Sequence, residues 1–236
     1  MLDEKDLSPE RKWLYDERAK LAVANLNRRN INAQYVSSHE EALPIVMDLI
    51  PEGAIVVCGD SVSLEQVGVL PALMKRNKNK VIAPFARDAS GHLLVDRQQQ
   101  MKMFREAFTS DVFLTGMNAV TLDGKLVSTD AIGNRVAAMI FGPEKVIVVA
   151  GVNKIVKDMN EAIERIHGIA APINAKRHYL RHHAAEFGDL ACVRTGKCVD
   201  CTSDWRICCS TVIIEGTYAR VKGRLNVVLV GEELGI

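Results

Sequence analysis

The sequence predicts an α/β fold: a three-layer, Rossmann-like arrangement with helices on both faces of a mixed, mostly parallel sheet, and a cysteine-rich element towards the C-terminus. Three observations predict it. Short β-branched runs such as AIVVCG, VIVVAG and VVLV are apolar throughout, as strands buried on both faces are. Stretches with apolar residues at helical spacing separate these runs. Five of the six cysteines fall between Cys192 and Cys209.

Length and composition set the frame. At 236 residues the chain suits one domain over residues 1–236, and no repeat, low-complexity tract or long linker divides it. Hydrophobic residues make up 48% and charged residues 25%, with a net charge of +1. This excludes a disordered class and argues against nucleic acid as a partner. The opening stretch MLDEKDLSPERKWLYDERAK alternates acidic and basic residues, with no apolar run for a secretory signal or a membrane span. The expectation is a cytoplasmic protein without a membrane partner. Thiols there stay reduced, so clustered cysteines point to metal or redox chemistry rather than structural disulfides.

In chain order, an N-terminal helical segment is expected within residues 1–32. Trp13, Leu14, Ala19, Leu21, Ala22 and Leu26 lie near helical spacing, and Asn25, Asn27 and Asn30 mark its end. Ala33–Val36 reads as a short strand and Glu40–Ile50 as a helix stopped near Pro51 and Gly53. Ala54–Gly59 is a strand leading into GDSVSLEQVG, so Gly59, Asp60, Ser61 and Ser63 fall in the turn before a helix, at the carboxyl edge where α/β ligands bind. Further strands are expected at Val81–Pro84, Val112–Thr115, Lys125–Ser128, Val146–Gly151, Thr211–Glu215 and Asn226–Val230. Helices are expected at Arg97–Thr109, Asn134–Phe141 and Val156–Ile169. The short separation of Val112–Thr115 from Lys125–Ser128 predicts a local antiparallel hairpin, with Asp123-Gly124 as a type I′ turn.

Polar residues crowd the stretch TGMNAVTLDGKLVSTDAIGNRVAAMIFGP, which supplies Thr115, Gly116 and Asn118 as binding candidates and Asp130, Asn134 and Arg135 as catalytic ones. Asp130 to Arg135 lie where free backbone amides can receive an anion and the arginine can pair with a carboxylate or phosphate. A helix cap with a surface arginine explains the same residues equally well, and Asp60 and Ser63 carry the same ambiguity. The chain has no G-x-G-x-x-G, no G-x-x-x-x-G-K-[ST] and no G-x-S-x-G, so neither a nicotinamide-type dinucleotide site, a P-loop nor a serine-hydrolase elbow is indicated.

The segment CVRTGKCVDCTSDWRICC spaces Cys192, Cys198, Cys201 and Cys208 so that four thiolates can meet around one metal ion or cluster. Cys209 is not needed to complete the set. Arg194, Lys197 and Arg206 would lower the thiol pKa values. An iron–sulfur cluster, [4Fe–4S], is favoured over zinc; ordinary reduced cysteines or a Cys198–Cys201 redox disulfide are the plainer accounts. Cys58 reads as a small buried side chain. His178, His182 and His183 read as part of a basic, solvated stretch after a helix.

The long blocks TGMNAVTLDGKLVSTDAIGNRVAAMIFGPEKVIVVAGVNKIV, IAAPINAKRH and the cysteine segment, with GDSVSLEQVG before them, resemble the lactate-utilisation (LUD) domain family over roughly residues 10–236. The resemblance implies a fold similar to the superfamily of sugar-phosphate isomerases and CoA-transferases. It also implies a place beside iron–sulfur partner proteins in L-lactate oxidation to pyruvate. Fold alone assigns no chemistry. Three functions therefore stand: a redox component of 2-hydroxy acid oxidation that binds a small anionic substrate; a non-redox enzyme for a phosphorylated, CoA-linked or folate-like substrate with a structural zinc; or a ligand-binding or assembly subunit. A homodimer is the default oligomer.

Overall fold

The computed structural model describes residues 4–236; the first three residues of the expected N-terminal segment lie outside them. The first half of the chain runs α1 (Ser8–Arg28), β1 (Asn32–Val36), α2 (His39–Asp48), β2 (Ile55–Cys58), α3 (Val62–Val67), α4 (Val69–Arg76), β3 (Lys80–Ile82), α5 (Arg97–Glu106) and β4 (Val112–Gly116). It continues through β5 (Ala119–Thr121), β6 (Leu126–Asp130), α6 (Asn134–Ile140), β7 (Lys145–Gly151), β8 (Ile155–Val156), α7 (Met159–Arg165), α8 (Ala171–Arg181), α9 (Ala191–Thr195), β9 (Ser210–Ile214) and β10 (Leu225–Val230).

Six strands form a sheet in the order β1-β10-β7-β4-β2-β3, every neighbouring pair parallel. Alternate residues of one strand feed two cores. Val227 and Leu229 pack with Leu26, Phe113 and Met139 on the face covered by α1 and α6. Val228 and Val230 pack with Val46, Leu64 and Leu73 on the face covered by α2, α3 and α4. Burial on both faces is why these runs carry no polar alternation. Each such aliphatic side chain stabilises the fold by roughly 1.5–3 kcal/mol. On α1 the buried stripe is Ala19, Ala22 and Leu26, whereas Trp13, Leu14 and Leu21 are exposed.

The mixed sheet expected from the sequence is divided in two. A separate four-stranded sheet, β8-β5-β6-β9, lies outside the parallel one and holds the antiparallel pairs. The expected hairpin from Val112–Thr115 is not formed, because β4 stays between β2 and β7. The chain leaves β4 at Gly116-Met117-Asn118 and makes its hairpin between β5 and β6. Asn118 fixes that departure, its Oδ1 accepting from the Thr129 backbone N–H at 2.8 Å. Gly124 has φ 87° and Asp123 is not among the positive-φ residues, so the turn is a type I turn followed by a left-handed glycine rather than type I′.

The helix expected over Val156–Ile169 begins only at Met159. Val156 pairs in β8 with Thr121, and Asp158 caps the helix by accepting from Glu161 N–H at 3.1 Å. It then continues through a π-helical turn, Ile166–Ala170, into α8. No helix among the described residues is long and apolar enough to cross a membrane.

Candidate functional site

A cleft of about 530 Å³ opens at the carboxyl ends of β2, β4 and β7. This is the edge where open α/β sheets place ligands, and the volume suits a small molecule. Gly59, Asp60 and Ser61 follow β2 into it, Gly116 and Asn118 come from the end of β4, and Lys154 follows β7. Helix α8 forms the opposite wall with Arg177, His178 and His182.

The floor is tightly built. A Cβ on Gly116 would stand 2.6 Å from Ser61 Oγ, so only glycine lets these two loops approach. Ser61, not Ser63, caps α3, accepting from Leu64 N–H at 3.4 Å. Ser63 is fully buried and instead accepts from Lys154 Nζ at 2.9 Å. Thr115 is buried in the strand, its hydroxyl donating to the Gly116 carbonyl at 3.1 Å; it does not reach the cleft.

Lys154, which the sequence reading did not single out, is 4% exposed and forms no ion pair among the described residues. Burial, with Arg165 and Arg135 nearby, pulls its pKa down to about 7. A lone lysine in the apolar run GVNKIV was the available signal.

Asp60 meets Arg177 at 2.5 Å, and His178 Nε2 stands 3.7 Å from its other oxygen. Burial pushes the Asp60 carboxyl up, but Arg177 and the two histidines outweigh it and hold the group below the usual carboxylate range. His178 and His182 share a ring-nitrogen contact of 2.9 Å. Burial lowers both, His182 to about 4, so the pair is neutral at neutral pH. These histidines are therefore not the solvated stretch expected: they project from one face of α8 into the cleft. Their i, i+4 spacing was the overlooked signal.

Asp130 is a helix cap. Its carboxylate accepts the backbone N–H groups of Gly133 (2.6 Å), Arg135 (2.9 Å) and Val136 (3.1 Å), so the amides expected to receive an anion are occupied by the chain's own carboxylate. Asn134 lines the cleft at the same helix start. Arg135 Nη2 donates to Asn118 Oδ1 at 3.2 Å and to the Thr129 carbonyl, while its buried Nε has no partner. Of the cleft's basic side chains, Arg177 is neutralised by Asp60, whereas Arg87, Arg135 and Lys154 form no ion pair among the described residues.

The cysteine element packs on α8 through Ala175, Leu190 and Val193, with Phe187, Cys192, Cys201 and Ile207 against them. Cys192 is raised by burial and then by Cys201, Cys208 and Cys198, so these sulfurs lie close enough to repel one another as thiolates. Cys208 is raised by burial too, against the opposing pull of Arg206. At Cys208 the lowering by a basic neighbour is thus present but outweighed by burial; Arg206 also donates to the carbonyls of Cys201 (2.7 Å) and Cys208 (3.0 Å). Cys209 is exposed, and Cys58 is buried elsewhere, its thiol pushed up to about 12 by burial. Cys208, with Trp205 and Ile207, lines the same cleft as Asp60 and Lys154.

The model of the LUD domain matches residues 19–230. The chain belongs to the LUD domain family. A search of curated proteins finds no match. Among solved structures, this LUD domain is similar to one described as a DUF162 family protein from Deinococcus radiodurans. The two are 16% identical, covering 93% of this chain and 98% of that one, with a TM-score of 0.46.

Proposed function

We propose that this LUD-domain protein is a component of 2-hydroxy acid oxidation of the L-lactate-to-pyruvate type, and that it binds the acid in the cleft beside an iron–sulfur cluster held by Cys192, Cys198, Cys201 and Cys208. One observation carries the reading: Cys208 lines the cleft that also holds unpaired basic side chains and a neutral histidine pair. The donor set suits a cluster. Cys201, Cys208 and Cys198 act on Cys192, and Cys198 and Cys201 on Cys208, which gathers the four thiols in one neighbourhood.

The chain's own residues then divide the work. Arg87 and Arg135 attract the substrate carboxylate. The neutral His178–His182 pair, held beside Asp60, accepts the hydroxyl proton. Oxidation of the acid releases two electrons and a second proton, and a hydride acceptor of the flavin class on a partner protein takes these. A bound cluster would then carry electrons one at a time from the reduced flavin towards a further acceptor. Cytoplasmic redox partner proteins and a homodimer complete the proposal.

The test is electron paramagnetic resonance of the anaerobically purified, dithionite-reduced protein titrated with L-lactate. The expected result is a cluster signal that changes on lactate addition and ceases to respond in Arg135→Met. A zinc protein without iron, or a cluster signal indifferent to saturating lactate, overturns the proposal.

A further inference from the structure

Lys154 has no task in that scheme, although its position is unusual. Its Nζ sits at the floor of the cleft behind β7, bound to the neutral hydroxyl of Ser63 at 2.9 Å and without a carboxylate partner among the described residues. The charges that bear on it are two guanidinium groups, Arg165 and Arg135. Arg165 is itself fixed, donating to the carbonyls of Asn153 (3.0 Å) and Asn118 (2.6 Å), so it cannot swing away. A buried amine beside fixed cations sheds its proton readily, and burial with these arginines brings it to about 7. Desolvation and a neighbouring cation are the two devices that turn a lysine into a nucleophile towards carbonyl compounds.

We infer that Lys154 captures small 2-oxo acids in the cleft as a covalent imine. The inference rests on the reading of the cleft as an acid-binding site. The Nζ lone pair attacks the carbonyl carbon and forms the C–N bond while the carbonyl π pair moves onto oxygen. That oxygen takes one proton from the amine and one from solvent and leaves as water, giving the protonated imine with no change in oxidation state. Ser63 acts as a positioning residue: by accepting an Nζ hydrogen it orients the nitrogen lone pair.

The experiment incubates the full chain with pyruvate and sodium borohydride across pH 6 to 9, digests it and maps the reduced adduct by mass spectrometry. The expected outcome is one dominant adduct at Lys154 whose yield climbs as pH rises through about 7. It should vanish in Lys154→Arg and Lys154→Met, and fall several-fold in Ser63→Ala. Adducts spread over surface lysines with none at Lys154 overturn the inference. Calorimetric binding of L-lactate, measured in parallel, separates the two claims. Lactate binding without a Lys154 adduct sinks the imine and spares the acid site. An adduct without lactate binding sinks the hydroxy acid reading and leaves the imine standing.

Discussion

In the six-stranded sheet, Val228 and Leu229 point to opposite faces and both are fully buried, so the strand is specified by its own apolar side chains. In the cysteine element, residues 197–209 form no helix or strand, and their apolar support is the small cluster around Ala175, Leu190 and Val193. The sheet carries its instructions in burial; on the proposed reading the element carries them in four cysteines that as thiolates would need a cation among them. The difference teaches where the molecule is tolerant. Loss of a core side chain weakens everything at once, whereas loss of a thiol should unbind the metal and loosen one surface.

The sharpest way to break this contrast is Cys201→Ser. The metal should be lost completely, with new protease cleavage within 190–210 and an unchanged far-ultraviolet dichroism of the sheet; metal analysis and limited proteolysis read it. Full metal retention would remove Cys201 from the ligand set. Leu229→Ala attacks the other side, and should lower the unfolding free energy by about 4 kcal/mol in urea titration while the metal remains bound. Arg177→Met tests the boundary between the two regions. It leaves the Asp60 carboxylate buried without its cation, at a cost of about 3 kcal/mol.

The pH dependence of that pair has a defined sign. Asp60 titrates lower in the folded than in the unfolded chain, so its contribution is present above the ordinary carboxylate value and is lost as pH falls through the folded one. In Arg177→Met the acid-unfolding midpoint should move to higher pH; an unchanged midpoint would show that the ion pair contributes nothing. The smallest effect is expected for Asp130→Ala, about 1 kcal/mol from the lost cap of α6. Cluster content should not change.

The same contrast explains what could be read in the sequence. Ala54–Gly59, Val146–Gly151 and Asn226–Val230 were legible as strands because burial on both faces forces apolar residues at every position. The hairpin was misplaced by one strand because β5 is three residues long and its separation from β4 depends on the Asn118 side chain, a contact with Thr129 that no local pattern reports. Gly59, Asp60 and Ser61 lie at the sheet edge that strand-turn-helix order assigns them. Lys154, His178 and His182 were missed: a lysine in an apolar run and histidines among arginines resemble a solvated surface until the fold turns α8 towards β2 and β7. Ser63 serves the lysine instead of the cleft, and Asp130 serves as the cap of α6.

Iron and acid-labile sulfide, measured together with zinc in anaerobically purified protein, test the central claim most directly. Iron and sulfide in equal amounts with a brown absorption band, both lost in Cys201→Ser, are the result expected of a cluster held by Cys192, Cys198, Cys201 and Cys208. Stoichiometric zinc without iron, or no metal bound to these four thiols, would contradict it.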